Sequence, residues 1–373
     1  MSSVISTAEE ERPEIFELPT AGEATNIHII DPLSDSRWED LIERHPKASV
    51  FHQRGWLEAL TRTYKYKPLV LTTSRPAGPL NGGMLVCEVK SWLTGSRAVS
   101  LPFSDHCEPL FDSNADLMSL IDQAQPELQR RGWRYLELRP TDESFAEIER
   151  GLGFQISGRY VRHVLDLDSG IDELFRSFHK DSVQRRIKHA NRSGLIELCG
   201  TSTEMLEQFY KLFVLTRSRH HLPPPPFAWF KNLVACLGSA LKIRIAYKDN
   251  SPIAGVIILR FRETAYFKYG CSDARFNRFG ATSWLLWNAI QAAKASGAVR
   301  FDFGRTQTDN PGLIRFKNHW VSRSAPLTYW RYPASTSKYE GSDWKLKTAK
   351  RLFSHLPTRL LVLSGKLIYP HVG

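Results

Sequence analysis

The order of predicted helices and strands repeats once along this chain of 373 residues. In the first half, two short helices precede the β-rich runs PLVLTTS and GGMLVCEVK, which a helix and a further strand follow. The same order begins again near Gly170, with three consecutive strand signals between residues 241 and 273. This repetition predicts an α/β (α+β) protein of two units, each a mainly antiparallel mixed sheet flanked by helices. No repeat of short period is visible, so we place the duplication in the fold rather than in the residues.

The length supports this division, since 373 residues favour two or three domains. A hydrophobic content of 42% is enough for sizeable cores. We predict a disordered tail over residues 1–24, a first unit over 25–168, a second unit over 169–335 and a helical extension over 336–373. The tail is polar and acidic, which disfavours a packed core there.

The chain carries an excess of positive charge. It contains 50 Lys and Arg against 39 Asp and Glu, which gives a formal charge of +11 and a pI near 9.4. Such an excess favours an anionic partner, either a phosphate-bearing molecule, a nucleic acid or an anionic membrane surface. The competing interpretation is that the charge only keeps the protein soluble.

Cysteine usage and the termini indicate a compartment. The five cysteines are widely spaced and form no C-x-x-C pair, which argues against a disulfide scaffold and a structural zinc site. The N-terminus lacks a secretory pattern, and no run reaches the ~20 apolar residues of a membrane span. We therefore expect a cytoplasmic protein. The C-terminal segment LPTRLLVLSGKLIYPHVG mixes Leu and Ile with Arg and Lys, and either packs as a terminal helix or touches a membrane surface.

The segment HKDSVQRRIKHANRSG predicts an amphipathic helix with a basic face. At about 100° per residue, its apolar face carries Val183, Ile187 and Ala190. The opposite, charged face carries Asp181, Arg185, Lys188 and Arg192. Arg186 falls near the edge of the apolar stripe, where partial burial would strengthen its charge. Arg185 and Arg186 are candidate phosphate ligands, because a planar guanidinium can bond two oxygens at once. The alternative is a solvated basic face.

The loop LPFSDHCEPL places several titratable side chains between two prolines. Asp105, His106 and Cys107 are residue types that bind metals, but neighbouring residues of an extended loop point in different directions. Cys107 beside His106 is a weak candidate nucleophile, because the fold rather than adjacency places such partners. We expect Asp105 to line a cleft, where it accepts a proton or binds a substrate amine. The alternative is an aspartate that caps backbone amides of its own loop.

A second loop, in CSDARFNRFGATSWLLWNAI, follows a strand and opens a helix. Backbone N–H groups at such a helix start can bind phosphate groups. Gly280 is the only glycine of this loop, and Arg278 precedes it by two residues. We assign Gly280 to cofactor binding and Arg278 to substrate binding, and the competing interpretation of Arg278 is a surface residue.

The segment GRTQTDNPGLIRFKNHW passes from a turn-rich loop into an amphipathic helix. Leu313, Phe316 and Trp320 recur at helical spacing and predict the apolar face that anchors it. Lys317 follows Phe316 directly, and a lysine fixed by such anchors can stabilise the oxyanion that forms when an amine attacks an ester carbonyl. The competing interpretation is a lysine that lays its stem over aromatic neighbours and keeps its charge in water.

Five segments, in this order along the chain, resemble the FemAB-like peptidyltransferases of the GNAT superfamily. They are FHQRGWLEAL, LPFSDHCEPL, FRSFHKDSVQRRIKHANRSGL, GCSDARFNRFGATSWLLWNAIQAAKASGAVRFDFG and GLIRFKNHW, and they span roughly residues 45–332. The resemblance implies tandem GNAT-like domains, with a BioF-like acetyltransferase domain in the second unit. It extends to the relatives found in exopolysaccharide and exosortase-linked gene clusters. Some family members insert a coiled-coil arm into the second domain, and this sequence has no such heptad stretch.

The resemblance also implies roles for particular residues. It puts the pair Phe316 and Lys317 at the reacting centre and makes Lys317 a group that stabilises the transition state. It places Arg185 or Arg186 near the phosphates of a nucleotide sugar. It also implies that Asp105, in the loop between the two prolines, corresponds to the acidic loop residue of the family.

The same resemblance leaves the donor open. GNAT enzymes bind the pyrophosphate of coenzyme A on a loop with several small residues. Here the loop has only Gly280, and Arg278 stands where a small residue is expected, which counts against coenzyme A. We therefore expect either aminoacyl-tRNA or acyl-CoA as the donor, and no metal.

We predict a transferase that moves an activated acyl or aminoacyl group to an amine on a bacterial cell-envelope, peptidoglycan or exopolysaccharide precursor. Its partners would be a phosphate-bearing acceptor and tRNA, and its place the cytoplasm, with peripheral contact at the inner face of the membrane. The first alternative is an ordinary acetyl-CoA-dependent N-acetyltransferase, which binding of acetyl-CoA would distinguish. The second is a non-catalytic basic binding protein, whose binding would depend steeply on salt.

Overall fold

The strand and helix signals of the sequence become one large sheet with helices on its faces. The computed structural model describes residues 27–142, 145, 153–321, 323–332, 353 and 356–373. Its strands are β1 (His28–Ile30), β2 (Lys67–Thr72), β3 (Met84–Ser91), β4 (Gly95–Val99), β5 (Leu136–Leu138), β6 (Gln155–Asp166), β7 (Ile196–Gly200), β8 (Leu241–Lys248), β9 (Ser251–Phe261), β10 (Thr264–Ser272), β11 (Arg300–Gln307) and β12 (Arg323–Tyr332). Its helices are α1 (Arg37–Arg44), α2 (Arg54–Tyr64), α3 (Asn114–Arg130), α4 (Ile171–Ser177), α5 (Arg185–Arg192), α6 (Thr203–Arg219), α7 (Phe227–Leu237), α8 (Ala281–Ala295), α9 (Pro311–Asn318) and α10 (Thr358–Val372).

These strands hydrogen-bond into a single sheet of order β1-β2-β3-β4-β5-β12-β6-β11-β10-β9-β8-β7. Neighbouring strands are antiparallel, except for the parallel pairs β4–β5 and β10–β11. Each parallel pair follows the antiparallel meander and the returning helix of its own half. The last strand of each half then pairs with the other half, β12 with β5 and β6 with β11. The two predicted sheets are therefore joined into one, at the β12–β6 pair.

The central strands of the second half are covered by helices on both faces. Seven consecutive residues of β9 are buried, whereas a sheet with one wet face would show strict alternation. Ile257 and Leu259 belong to the hydrophobic cluster that contains Phe209 of α6. Val256 and Ile258 belong to the cluster that contains Leu286 of α8. Successive residues of the strand thus face different helices, as a β-strand requires.

One hydrophobic cluster contains residues of both halves. Trp56 of α2 packs edge-on against Trp229 of α7, with ring centroids 5.3 Å apart. A Cβ on Gly55 would lie 2.4 Å from the carbonyl oxygen of Cys236, so α2 and α7 approach this closely because residue 55 is glycine. Truncating a buried Trp such as Trp56 costs about 3–5 kcal/mol. The shared core therefore fixes the position of one half against the other.

The predicted basic helix forms in two parts. The predicted helix of the basic segment begins as a π turn, Lys180–Gln184, and becomes the α-helix α5 only at Arg185. Its predicted apolar residues Val183, Ile187 and Ala190 are all buried. The tail over 1–24 and most of the short helix predicted in SFAEIERGLGF lie outside the described residues. Within the described residues, no helix combines the length and apolar character that crossing a bilayer requires.

Candidate active site

The loop after β4 carries Asp105 toward the second half of the chain. Leu101 and Phe103 take left-handed backbone conformations, with φ of 54° and 62°, which non-glycine residues rarely adopt. The loop is held by the Ser104 hydroxyl, which donates to the Leu101 carbonyl at 2.8 Å. The hydroxyl of Tyr329 on β12 donates to the backbone oxygen of Asp105 at 2.6 Å. Strained backbone that is fixed on both sides marks Asp105 as a positioned group.

Gly304 lets β11 approach the Asp105 carboxylate closely. Its φ is +70°, and a Cβ there would lie 2.9 Å from Asp105 Oδ2. The strand has an irregular register against β6 between Asp302 and Arg305, as in a β-bulge. The Gly304 N–H donates to Asp302 Oδ1 at 2.7 Å, which fixes the irregular segment. The bulge therefore turns the backbone carbonyls of this segment away from the regular ladder and towards α9.

Lys317 on α9 is the only buried residue of that helix, with 4% of its surface exposed. Its ammonium donates to the carbonyl oxygens of Gly304, at 3.1 Å, and Arg305, at 3.0 Å. Burial lowers the pKa of Lys317 to about 8, although the carboxylates of Asp105 and Asp302 act in the opposite direction. These carbonyls use two of its three N–H donors, and no described residue accepts a hydrogen bond from the third, which can therefore bind a ligand.

The apolar face predicted for this helix is only partly correct. Trp320 is buried and Phe316 is half-buried, but Leu313 is exposed. Leu313, Phe316, Lys317 and Trp320 lie within about 100° on the helix, so the face that turns inward includes the lysine. Lys317 therefore does not extend to water over its aromatic neighbours.

Lys268 on β10 forms the second buried cationic contact of the site. Its ammonium donates to Asp105 Oδ2 at 3.0 Å, and its side chain is 5% exposed. It also lies 5.0 Å from the ring centroid of Phe51 and 5.4 Å from that of Trp56. Burial lowers the pKa of Lys268, whereas the Asp105 carboxylate acts to raise it. Arg305 approaches the other oxygen of Asp105, with Nε at 3.9 Å from Oδ1.

A buried ion pair supports the strand from the other side. Arg162 on β6 donates to Asp302 Oδ2 through Nε at 2.9 Å and Nη2 at 2.7 Å. His106 Nε2 lies 3.6 Å from the same oxygen. Burial would raise the pKa of Asp302, but the Arg162 and His106 contacts outweigh it and hold that pKa well below its usual range. Asp302 is therefore an anion that positions Gly304 rather than a proton carrier.

The first cleft has a volume of about 340 Å³ and lies between the two halves of the chain. Asp105 from the first half faces Lys268, Arg305 and Lys317 from the second. The other residues that line this cleft are Thr216, Arg219, Phe267, Gly270, Cys271, Ser272, Thr282, Phe303, Gly304, Leu313 and Phe316. Cations thus outnumber carboxylates in the cleft, so it favours a ligand with negative charge.

A second cleft, of about 470 Å³, adjoins the first and shares Ser272, Thr282 and Phe316 with it. It lies at the start of α8, where Gly280 has a φ of +70°. A Cβ on Gly280 would lie 2.8 Å from the backbone oxygen of Arg186, so glycine is required for this contact. Arg186 and Arg278 also line the second cleft. A helix start beside two guanidinium groups favours an anion.

The structure brings most of the predicted site residues together. Lys317, Asp105 and Phe316 line the first cleft. Arg186, Arg278 and Gly280 line the second, which Phe316 also touches. Arg185 is exposed and lies in neither lining, and the partial burial predicted for Arg186 is wrong, since its side chain is exposed beside the cleft mouth.

Two alternative interpretations of the Asp105 loop were a Cys107 nucleophile and a metal site. Burial raises the pKa of Cys107 to about 12, so this thiol stays protonated and unreactive. Over the part of the chain that the structure describes, no three His, Cys, Asp or Glu side chains group as metal ligands.

Sequence reasoning missed Lys268, Arg305 and Asp302. Lys268 had a local signal, a single lysine inside the aromatic strand TAYFKYGC. Arg305 and Asp302 gave none, because their partners lie more than a hundred residues away along the chain.

Comparison with known proteins agrees with this architecture. Residues 176–318 match the family model described as the acetyltransferase (GNAT) domain. A UDP-N-acetylmuramoylpentapeptide-lysine N(6)-alanyltransferase from Weissella viridescens is 21% identical over 326 residues, which cover 81% of this chain and 94% of that protein. The crystal structure of FemX superposes with a TM-score of 0.67 at 14% identity, over 84% of this chain and 99% of that chain. A tandem GNAT protein from the clavulanic acid pathway gives a TM-score of 0.51 at 11% identity, over 83% and 100% of the two chains.

The fold and the match to the GNAT domain identify the class of protein: this is a transferase with the GNAT acyltransferase fold. Within that superfamily the chain is similar to the Weissella alanyltransferase in sequence and to FemX in fold, which agrees with the resemblance of its five sequence segments to the FemAB-like peptidyltransferases.

Proposed function

We propose that this protein transfers an aminoacyl group from an activated ester to an amine on a peptidoglycan precursor. One observation carries the proposal. The Lys317 ammonium is buried in the cleft and fixed by two backbone carbonyls, and its third N–H donates to none of the residues that the structure describes. The alanyltransferase activity in the name of the relative from Weissella viridescens supports the class of donor and acceptor.

In the proposed reaction, the neutral acceptor amine attacks the ester carbonyl of the aminoacyl group. A C–N bond forms, and the carbonyl oxygen becomes a tetrahedral oxyanion. Lys317 donates its third N–H to that oxygen, and because its position is fixed before the reaction, little reorganisation is needed. Collapse of the intermediate breaks the ester C–O bond and releases the hydroxyl of the donor.

Asp105 is proposed to position the amine and accept its proton. Its carboxylate is half-buried and held by Lys268 on one oxygen, with Arg305 near the other. A carboxylate fixed in this way can accept a hydrogen bond from the amine and take its proton as the C–N bond forms. The protonated Asp105 then gives this proton to the leaving oxygen of the donor, which restores the carboxylate and balances the overall reaction. Lys268 acts through Asp105 and is therefore a positioning residue.

The second cleft is proposed to bind phosphate groups of a substrate. Arg186 and Arg278 supply guanidinium groups, and Gly280 opens the helix start between them. Because the second cleft adjoins the first, a phosphate-bearing substrate can occupy it while its reactive group lies near Phe316 and Lys317. Exopolysaccharide precursors share the phosphate and amine chemistry and remain candidate acceptors. We place the reaction in the cytoplasm, at the inner face of the membrane.

The proposal is tested by incubating the purified protein with UDP-N-acetylmuramoyl-pentapeptide and alanyl-tRNA. Mass spectrometry should show the acceptor gaining one alanyl residue. The variant Lys317→Met should lose most of this product, whereas the control Arg185→Ala should retain it.

A parallel reaction with acetyl-CoA tests the acetyltransferase alternative, which the GNAT domain match favours. Acetylation without alanylation would overturn the aminoacyl proposal. Transfer that is equally fast in Lys317→Met would overturn the assignment of the oxyanion site. The absence of transfer from either donor, with retained and salt-sensitive anion binding, would favour the non-catalytic alternative.

A further inference from the structure

Two separate elements expose large apolar side chains on the same side of the protein. The turn between β3 and β4 presents Trp92, which is 86% exposed, and Leu93. The helix α10 presents Leu360, Leu363 and Leu367, of which Leu367 is 72% exposed. We call the three leucines the leucine ridge and residues 92–93 the hairpin tip. A single exposed leucine is ordinary, but a contiguous group of this kind marks an interaction surface.

The orientation of α10 is fixed by its opposite face. At about 100° per residue the leucine ridge spans about 60°, and Leu361, Gly365 and Tyr369 face the other way. A Cβ on Gly365 would lie 2.1 Å from the backbone oxygen of Pro224, so the helix packs directly on that backbone. Tyr66 donates to the Tyr369 carbonyl at 3.0 Å. The leucine ridge therefore faces outward on a helix whose opposite face is already packed against the protein.

The C-terminal end of α10 joins the leucine ridge to the hairpin tip. The ring of His371 lies 5.5 Å from that of Trp92 and its Nδ1 lies 3.0 Å from the Ser91 hydroxyl. Thr94 donates to the His371 carbonyl at 3.0 Å. His371 lies eleven positions after Leu360, so the strip that joins the leucine ridge to the hairpin tip is about 16 Å long.

Positive charge surrounds this strip. Arg359 and Lys366 lie along one flank of the leucine ridge, and both are exposed. Lys90 and Arg134 lie at the base of the hairpin, where Arg134 donates to the Thr94 carbonyl at 3.4 Å. The described residues 356–373 contain Arg359 and Lys366 and no Asp or Glu. A second copy of this chain would bring like charges together here, whereas a negatively charged surface is complementary.

We propose that the leucine ridge and the hairpin tip dock on the surface of an anionic phospholipid bilayer. Leucines on one face of a surface helix enter the boundary of the acyl chains, and tryptophan favours the level of the headgroups. The flanking Lys and Arg side chains pair with anionic headgroups. This inference stands apart from the chemistry proposed for the cleft, because no residue of the cleft belongs to the docking surface.

The docking surface nevertheless lies close to the cleft. Arg217 of α6 donates to the Tyr369 hydroxyl of α10 at 3.2 Å. Thr216 and Arg219, from the same turn of α6, line the first cleft. A molecule held at the bilayer surface would thus meet the cleft mouth about one helical turn away.

Co-sedimentation of the full-length protein with vesicles tests the proposal. Phosphatidylcholine vesicles containing about 30% phosphatidylglycerol should pellet the protein, whereas pure phosphatidylcholine should bind it much less. The double variant Leu363→Glu/Leu367→Glu should lower the bound-to-free ratio at least about tenfold, because two apolar contacts are replaced by anions. The control Leu198→Glu changes an exposed leucine on the edge strand β7, outside the docking surface, and should bind as the wild type does.

Each other outcome overturns the proposal. Equal pelleting of the double variant would show that charge alone drives binding, without the leucine ridge. Failure of the wild type to bind anionic vesicles at low salt would remove the bilayer as the partner. A concentration-dependent dimer that the double variant dissociates, without vesicle binding, would identify a second copy as the occupant. Transfer activity in solution, with soluble substrates, should be the same in the double variant and the wild type, which also confirms that the variant is folded.

Discussion

Replacing Lys317 with methionine tests the assignment of the oxyanion site directly. Methionine keeps the length and apolar contacts of the lysine stem and removes only the ammonium. The carbonyls of Gly304 and Arg305 lose their donor, which costs about 1–3 kcal/mol for a buried acceptor. Removal of a buried charge offsets part of this cost, so the variant should remain folded.

The magnitude of the rate effect follows from the role and from the pKa. Loss of one preorganised oxyanion donor lowers kcat by about 10²–10³. Burial lowers the pKa of Lys317 to about 8, so the ammonium is present below that pH and lost above it. The ratio of wild-type to variant rates should therefore be about 10²–10³ near pH 7 and fall about tenfold for each pH unit above 8.

The assay measures alanyl transfer to the pentapeptide precursor, for both proteins, between about pH 6.5 and 9.5. Using the ratio of rates cancels the titration of the acceptor amine, which both reactions share. A ratio near one at neutral pH would refute the role of Lys317. A large ratio that does not change with pH would refute the reasoning from burial, because it would mean that the ammonium keeps its charge throughout.

The same pKa shift predicts a difference in stability. Lys317 has an ordinary pKa of 10.5, which burial lowers to about 8. Between these values the unfolded chain binds the proton and the folded chain does not, so folding becomes more favourable as the pH rises through this window. The wild type should gain up to about 3 kcal/mol there relative to Lys317→Met. Urea unfolding at several pH values measures this, and parallel curves for the two proteins would contradict it.

Three further predictions concern the surroundings of Lys317. Gly304→Ala should lower transfer at least tenfold, because the new Cβ meets the carboxylate of the adjacent loop, whereas Gly297→Ala, at a similar φ of +82° but with open space around it, should only lower the unfolding midpoint. Arg186→Ala should raise KM for the phosphate-bearing substrate about tenfold, while Arg185→Ala leaves it unchanged; equal effects would remove the second cleft from the mechanism. Lys268→Met should lower kcat more than it raises KM, and steady-state kinetics that show the reverse would make it a binding residue.

The sequence was most informative where local periodicity decides the structure. The two short helices predicted ahead of the β-rich runs are present as α1 and α2, and the set Val183, Ile187 and Ala190, predicted from helical spacing, is buried. Ser202 caps α6 in the same local way, since its hydroxyl accepts a hydrogen bond from the Met205 N–H. In each case the interactions that form the element lie within a few residues of one another, so a short window contains them.

Features that depend on contacts between distant residues could not be predicted from the sequence. The exchange of β6 and β12 between the halves joins residues far apart in the chain, and no local pattern encodes which edge a strand chooses. The strand TAYFKYGC contains a register shift between Phe267 and Tyr269, so simple alternation does not show which way Lys268 points. The sequence shows that Lys317 follows Phe316, but the inward orientation of its ammonium depends on the carbonyls of the bulge in β11, which no local pattern reveals.

The electrostatic balance of the first cleft links its folding cost to its proposed chemistry. Four cationic side chains, Arg219, Lys268, Arg305 and Lys317, line the cleft together with the single carboxylate of Asp105, so the lining carries more positive than negative charge. Burying unbalanced charge destabilises a protein unless some other group supplies the missing counter-charge. The lowered pKa of Lys317 reflects the free energy needed to bury its ammonium, and the protein meets this cost when it folds rather than during the reaction. An oxyanion that forms in the cleft would supply the missing negative charge only in the transition state. The same arrangement that destabilises the resting protein would therefore lower the barrier to acyl transfer.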